Sequence, residues 1–321
     1  MSATRKWIEA GMNRLRLGRL LRWAAWAALI GAAGVVVRAE VMRPELPQGV
    51  EAYTDIVYRR IGTRRERVDV YVPLLPAPAG GRPAVLAIHG GGWRGGSKNG
   101  YGREVAQLAK YGYVVIAPTY LHSRESAPSW PENLEDLREA VRWVRRHASD
   151  YGINPRRIAA MGASAGGHLA ALLGALPDQR GEGQARTPES EQNEVSARVG
   201  AAIVFYGPAD LRSNYRASPA AARAISMLLG GTPEELPKQY DQASPLRFIS
   251  PDDPPMLVVH GQLDKLVPLD QSRALDAALE AAGVPHQLVV VNGARHGFGL
   301  HADKTDLTPV ILDFLDHVWK D

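Results

Sequence analysis

The feature that most constrains this chain is the run Gly162-Ala163-Ser164-Ala165-Gly166, which has the form G-x-S-x-G. Residues 157–161 before it are largely apolar and predict a buried strand, whereas residues 168–173 after it favour a helix. A serine on a tight turn from a strand to a helix is typical of a nucleophile elbow, which exposes the hydroxyl at the tip of the strand. Small flanking residues are needed because the backbone passes close to itself at such a turn. The run therefore predicts an α/β fold with Ser164 at one edge of the sheet.

A glycine-rich loop precedes this turn in the chain. The apolar segment 84–88 leads directly into His89-Gly90-Gly91-Gly92-Trp93. An H-G-G-G loop after an early strand supplies backbone N–H groups that point at a developing oxyanion. We expect Gly91 and Gly92 to supply two donors and the N–H of Ala165 to supply the third. A glycine cluster is also compatible with a plain flexible turn, but the position of this one after a buried strand favours the oxyanion loop.

An acid and a base follow the later apolar segments. Asp264 comes just after the segment 256–261, and His296 comes just after the segment 287–291. The order Ser164, Asp264, His296 is the Ser…Asp…His order of triads on α/β folds. In such a triad His296 would take the serine proton, and Asp264 would orient the imidazole and stabilise its protonated form.

One other acid competes for this position. Asp210 follows the apolar segment 201–205, which also predicts a strand. We favour Asp264 because its strand immediately precedes the strand that leads to His296. The other histidines of the chain show no H-x-x-x-H spacing, so no metal site is predicted and no cofactor is expected.

From about residue 50 to its end, the chain resembles α/β-hydrolases of the carboxylesterase kind. It is similar to esterases related to hormone-sensitive lipase and to the BD-FAE (feruloyl/acetylxylan-esterase-like) group. The matching segments are His89–Trp93, Pro131–His147, Gly162–His168, Ser250–Pro255, His260–Asp264 and His296–Phe298. The resemblance implies an α/β-hydrolase fold, with a mostly parallel central sheet, helices on both faces and a small helical insertion. It also implies hydrolysis of carboxylic esters through an acyl-enzyme on Ser164.

The substrate is less constrained by these motifs. Trp93, beside the glycine loop, and Tyr120, after a predicted strand, are candidates for substrate contact. Many relatives carry an acidic residue where this chain has Ala163, and an arginine where it has Leu121. A short acyl group on a small-molecule or polysaccharide ester is expected. Three alternatives remain: an arylformamidase-like amide hydrolase, a serine peptidase, and a non-catalytic binding module on the same fold. The first is suggested because H-G-G-G-W fits the H-G-G-x-W pattern of arylformamidases.

The N-terminal region differs from the rest. Arginines between residues 14 and 22 precede the uncharged apolar segment 23–37. A basic region followed by an apolar one is typical of an export signal, and this segment is short for a spanning helix of about 20 residues. We expect residues 1–39 to form a signal peptide, cleaved after Ala39, or an N-terminal membrane anchor. Either outcome places the catalytic domain outside the cytoplasm, as a periplasmic, secreted or membrane-anchored protein.

The remaining chain is expected to consist of a linker at residues 40–50 and a catalytic domain at residues 51–321, with a cap or insertion at residues 208–250. The composition, 45% apolar and 22% charged, is ordinary for a globular domain. The net charge of +4 is mild, and the arginines between residues 59 and 67 are expected on a solvated hairpin edge, so no nucleic-acid site is inferred. The chain has no cysteine, which excludes disulfides and thiol catalysis.

Overall fold

The computed structural model describes residues 46–177, 195–302 and 304–320. Eight strands form one sheet: β1 Val50–Ile61, β2 Arg64–Pro73, β3 Arg82–Ile88, β4 Val114–Pro118, β5 Ile153–Ala163, β6 Ala201–Phe205, β7 Met256–Gly261 and β8 His286–Val291. Their order is β1-β2-β4-β3-β5-β6-β7-β8, and only the pairs β1–β2 and β2–β4 are antiparallel. A separate small hairpin joins β9 His301–Ala302 to β10 Thr305–Asp306.

The helices follow the parallel strands. Within the described residues the α-helices are α1 Lys98–Val105, α2 Glu132–Arg146, α3 Ala165–Ala175, α4 Leu211–Tyr215, α5 Pro219–Leu229, α6 Pro237–Gln242, α7 Asp270–Ala282 and α8 Thr308–Val318. Short 3-10 helices span Ala106–Tyr111, Ser149–Tyr151 and Pro245–Arg247. The segment 208–250, expected as a helical insertion, contains α4, α5 and α6 between β6 and β7.

The sheet separates two apolar layers. Ala84, Leu86 and Ile88 of β3 belong to the layer that holds α2 and α3. Val85 and Ala87 belong to the opposite layer, which holds α1 and α8. This division follows from the alternation of side chains along a strand, and burial of both faces explains why β3 is apolar throughout. The predicted mostly parallel sheet with helices on both faces is confirmed.

Helix α2 shows how one sequence pattern produces packing. Leu134, Leu137, Val141 and Val144 recur at helical spacing, and all four are buried against the sheet. Each fully buried aliphatic side chain of this size stabilises the fold by about 1.5–3 kcal/mol. Acidic residues in the first turn and arginines in the last turn complement the helix dipole.

The arginines of the β1–β2 hairpin are not all solvated, contrary to expectation. Arg60 and Arg65 are exposed, whereas Arg59 and Arg64 are half-buried. Both half-buried guanidinium groups donate to Asp136 on α2, whose side chain is 0% exposed. A fully buried carboxylate requires such partners because an unpaired buried charge is strongly destabilising. The hairpin is thereby fastened to α2.

The predicted N-terminal segment 1–39 and most of the linker 40–50 lie outside the described residues. The described part of the chain begins at Leu46, and β1 begins at Val50. None of the helices in the described ranges has the length and apolar character needed to cross a membrane.

Candidate active site

Ser164 lies at the junction between β5 and α3, in the strained backbone conformation of an elbow. Its φ is 56° and its ψ is −119°, values that a residue with a side chain rarely adopts. A Cβ atom on Gly162 would lie 2.1 Å from the carbonyl oxygen of Gly166, and one on Gly166 would lie 2.1 Å from that of Ile88. These short distances explain why both positions of the motif are glycine. The N–H of Ser164 donates to the carbonyl of Phe205 at 2.9 Å, which ties the elbow to β6.

Three side chains that lie far apart in the chain meet at the elbow. His296 Nε2 lies 2.9 Å from Ser164 Oγ, and His296 Nδ1 lies 2.6 Å from Asp264 Oδ2. The side chain of His296 is 19% exposed and that of Asp264 is 0% exposed. In this arrangement the imidazole can accept the hydroxyl proton at Nε2 while its Nδ1–H donates to the carboxylate. The structure thus brings together the acid, base and nucleophile predicted from the chain order.

The turn after β7 holds the Asp264 carboxylate in place. Its Oδ1 accepts from the N–H groups of Leu266 at 2.9 Å and Val267 at 3.0 Å, which leaves Oδ2 for His296. Burial raises the pKa of Asp264, but hydrogen bonds from His260, His296 and the Val267 N–H outweigh burial and hold this pKa well below its usual range. Asp264 is therefore an anion at neutral pH, able to accept a hydrogen bond from His296 Nδ1–H.

Asp210, the rival acid, occupies a different position. It precedes α4 and caps that helix, because its Oδ1 accepts from the N–H groups of Arg212 at 2.9 Å and Ser213 at 3.2 Å. An N-terminal cap of this kind contributes about 0.5–2 kcal/mol to stability. The structure does not place Asp210 in hydrogen-bonding contact with His296.

The glycine loop lies directly against the elbow. A Cβ atom on Gly90 would lie 2.7 Å from the carbonyl oxygen of Ala163. Gly91 and Gly92 have φ values of 121° and 59°, in the region that favours glycine. A Cβ atom on Gly91 would also lie 2.3 Å from the carbonyl oxygen of Gly95. The run of glycines is thus required by close approach as well as by backbone conformation.

The next feature of the site is the set of backbone N–H groups predicted to bind an oxyanion. Within the described ranges, the N–H groups of Gly91, Gly92 and Ala165 donate to no other protein group. Gly91 and Gly92 line the same cavity as Ser164, and Ala165 is the next residue after it. These N–H groups are therefore available to a ligand oxygen near Ser164 Oγ.

His89 and Tyr120 stabilise the glycine loop by hydrogen bonds and ring stacking. His89 is buried, and its Nδ1 donates to the carbonyl of Gly90 at 2.9 Å. Burial lowers the pKa of His89 to about 4, so the ring is neutral. Tyr120 stacks on His89 with ring centroids 4.5 Å apart and donates to its carbonyl at 2.8 Å. Tyr120, a predicted substrate contact, lines a separate cavity on this side of the loop and is not among the residues that line the cavities at Ser164.

Trp93 connects the loop to the helices around it. Its Nε1 donates to His168 Nδ1 at 3.2 Å, and His168 Nε2 donates to the carbonyl of Ala243 at 2.6 Å. Burial lowers the pKa of His168 to about 4, so this ring is also neutral. Trp93, a predicted substrate contact, is among the residues that line a small cavity beside Ser164.

Two cavities of unequal size meet at Ser164. The larger has a volume of about 460 Å³, is open to solvent, and is lined on its polar side by Arg94, Tyr101, Glu104 and Tyr206. The smaller has a volume of about 40 Å³. Apart from Ser164, its walls are formed by Gly92, Trp93, Pro208, Asn214, Ala221, Ala224, Leu266 and Val267. The helical segment 208–250 thus contributes much of the small cavity.

This geometry accompanies a match to a known family. Residues 68–279, which include the glycine loop, the elbow and Asp264, match the BD-FAE family model. The chain belongs to the BD-FAE family. The resemblance drawn from the motifs is therefore confirmed, and so is the α/β-hydrolase fold that it implied.

Several relatives of this BD-FAE chain carry esterase descriptions. A probable carboxylic ester hydrolase of Mycobacterium tuberculosis, LipM, is 34% identical over 77% of the chain, and the chain spans 56% of its length. An ethyl acetate hydrolase of Pseudomonas putida is 30% identical over 72% of the chain and 70% of its own length. The structure of the thermophilic esterase Est2 of Thermogutta terrifontis superposes with a TM-score of 0.68, at 30% identity, over 87% of this chain and 97% of that one.

Tyr206 is a residue of this site that the sequence did not predict. Tyr206 follows β6 with a φ of 39°, and its ring lies 4.8 Å from that of His296, centroid to centroid. Its hydroxyl donates to the carbonyl of Phe298, and burial raises its pKa. Tyr206 therefore positions the loop that carries His296. Its place at the carboxyl end of a central strand is a signal that could have identified it, because ligand sites of parallel sheets lie at that edge.

Proposed function

We propose that the described domain is a serine carboxylesterase that hydrolyses short-acyl esters through an acyl-enzyme on Ser164. The continuous hydrogen-bonded series from Ser164 through His296 to Asp264 carries this proposal. Membership of the BD-FAE family and the esterase descriptions of the relatives support it.

In the proposed reaction, Ser164 Oγ attacks the ester carbonyl carbon as His296 Nε2 takes the hydroxyl proton. The carbonyl oxygen becomes an anion within reach of the N–H groups of Gly91, Gly92 and Ala165, which stabilise it. The C–O bond to the alcohol then breaks, and the alcohol leaves with the proton from Nε2. Water then takes the place of the alcohol and attacks the carbonyl carbon of the acyl-enzyme. The bond to Ser164 Oγ breaks, which releases the acid and restores the serine. Throughout, the Asp264 carboxylate stabilises the protonated imidazole.

The unequal cavities support a short acyl group. We assign the acyl group to the small cavity of about 40 Å³ and the alcohol to the open cavity of about 460 Å³. The small cavity has room for a few heavy atoms, because one water molecule requires about 10–15 Å³ by the same measure. Arg94 and Glu104 line the larger cavity, and their polar groups suit an alcohol with hydroxyl groups of its own.

Covalent labelling tests the proposed nucleophile. A fluorophosphonate probe is expected to label the purified protein and to leave the Ser164→Ala variant unlabelled. Ser149→Ala, which alters a serine in an exposed 3-10 helix, is the matched control and is expected to label like the wild type. Labelling of Ser164→Ala at the wild-type rate would show that another group is the nucleophile.

We further propose that the domain works outside the cytoplasm, released or anchored by residues 1–39. The proposal rests on the basic residues before the apolar segment 23–37, since Lys and Arg beside a first apolar segment keep their side cytoplasmic. Fractionation with N-terminal sequencing tests it. We expect either a product that begins at Glu40 in the exported fraction or an intact membrane-bound chain. Intact soluble protein in the cytosol would refute the proposal.

A further inference from the structure

Asn214 carries a buried polar group that nothing in the described structure satisfies. Asn214 lies within α4 and is 3% exposed. Its backbone N–H donates to the carbonyl of Asp210 at 3.0 Å, and its own carbonyl accepts from the N–H of Ala217 at 3.0 Å. The side-chain Oδ1, in contrast, is buried without a hydrogen-bond partner among the described residues. Because burying an amide oxygen without a partner is destabilising, such groups are rare in native proteins, and each calls for an explanation such as a bound water or a ligand.

The position of Asn214 suggests where that ligand comes from. Asn214 lines the small cavity beside Ser164, which we assign to the acyl group. The other polar side chains of this wall are already bonded: Ser164 to His296, and Trp93 to His168. The remaining side chains of the wall are apolar. Among the described residues that line this cavity, Asn214 is therefore the polar one whose side-chain oxygen has no hydrogen-bond partner.

We propose that Asn214 selects a short acyl group that bears a hydroxyl, such as a 2-hydroxyacyl group. This specificity rests on the serine esterase function proposed above. A hydroxyl can donate to Oδ1, and it can accept from Nδ2 if the amide turns over, so it satisfies the side chain in either orientation. Because both Ser164 and Asn214 line this cavity of about 40 Å³, we place an acyl group bound to Ser164 beside Asn214.

Other acyl groups fit this cavity less well. A plain alkyl group fills the space but leaves Oδ1 unpaired. A carboxylate has no proton for Oδ1, and none of the described residues that line the cavity is cationic and could neutralise it. An ammonium group could donate, but the described part of the chain contributes no acidic residue to this cavity, so its charge would be uncompensated. A neutral hydroxyl supplies the missing donor without burying a charge.

The kinetics of three ethyl esters test this specificity. We would measure kcat/KM for ethyl propionate and for the two enantiomers of ethyl lactate by titration of the released acid. The hydroxyl activates both enantiomers equally toward attack, so their ratio isolates the contact with the protein. One enantiomer is expected to be preferred by about tenfold, the upper range for one neutral hydrogen bond. In Asn214→Leu, which removes the polar group at similar size, the ratio is expected to fall to about one.

Asn133 offers a matched control. It is also a buried helical asparagine, but its Nδ2 donates to Ser129 Oγ at 3.2 Å and its Oδ1 accepts from the N–H of Leu134 at 2.9 Å. Asn133→Leu is expected to retain the enantiomer ratio of the wild type, even if it lowers stability. Should Asn214→Leu fail to fold, Asn214→Ala is the second variant, with the same expected loss of preference.

The outcomes separate the two proposals. Equal kcat/KM for the two lactate enantiomers in the wild type would overturn the role of Asn214 while leaving the esterase function intact. A preference that persists in the Asn214 variants would overturn it too. If the wild-type protein hydrolyses none of the three esters, the proposed function itself fails, and the acyl specificity with it.

Discussion

Replacement of Asp264 by asparagine is the most informative single change at this site, because it alters one charge and hardly any volume. In the wild type, Asp264 Oδ1 accepts from the N–H groups of Leu266 and Val267, and Oδ2 accepts from His296 Nδ1. In Asp264→Asn, the amide oxygen keeps the two backbone donors, so the amide NH₂ faces the imidazole. His296 Nδ1 must then accept a hydrogen bond, and the proton of the neutral ring moves to Nε2.

That tautomer cannot accept the proton of Ser164, because Nε2 already carries one. The expected loss of turnover is about 10⁴-fold, as for removal of the orienting acid from a serine triad. A loss of this size corresponds to about 5 kcal/mol of transition-state stabilisation. We would measure kcat/KM with p-nitrophenyl acetate and the thermal midpoint of each variant, because loss of folded protein must be separated from loss of chemistry.

Asp210→Asn is the matched control for this prediction. Asp210 caps α4, and asparagine caps a helix about as well as aspartate, so turnover and stability are expected to stay near those of the wild type. The reasoning would be refuted if Asp210→Asn were the crippling change and Asp264→Asn were mild.

The remaining predictions concern the loop, the acyl cavity, the hairpin and acid pH. Gly90→Ala places a Cβ 2.7 Å from the carbonyl oxygen of Ala163. Turnover is therefore expected to fall by about 100-fold, as when an oxyanion donor is lost. The control is Gly100→Ala, because a Cβ at that position meets nothing within 4 Å. Equal turnover in both variants would contradict a close fit of the loop to the elbow. In a series of p-nitrophenyl esters, acetyl to butyryl groups are expected to give the highest kcat/KM, and an optimum near decanoyl would contradict the small acyl cavity. Asp136→Ala is expected to lower the free energy of unfolding, measured in urea, by about 3–5 kcal/mol, because two half-buried arginines lose their shared partner. A loss of stability as small as that caused by replacing an exposed aspartate would contradict this prediction. The folded-state pKa of Asp264 lies below its unfolded value, so its stabilising effect is full above pH of about 4 and is lost as the pH falls. The thermal midpoint of Asp264→Asn is thus expected to depend less on pH below about 4 than that of the wild type, and an equal dependence would argue against the depressed pKa.

The sequence by itself predicted the features that depend on neighbouring residues. The elbow at Ser164 and the glycine loop are recognisable because close backbone contacts permit only small residues at their glycine positions. Helix α2 is recognisable because its apolar residues repeat once per turn, and β3 because both of its faces are buried. Chain order then predicted Asp264 and His296 as the partners of Ser164, and the hydrogen bonds among these three side chains are consistent with that prediction.

Only the tertiary structure decided which distant groups meet. His296 is 132 residues from Ser164 in the chain, and its contact with Asp264 depends on the turns after β7 and β8 lying side by side. The same packing placed Tyr120 against His89 of the glycine loop and left Asn214 Oδ1 without a partner among the described residues, in the small cavity beside Ser164. Local patterns cannot supply such pairings, because the partner of a side chain is set by the order and register of strands across the whole sheet.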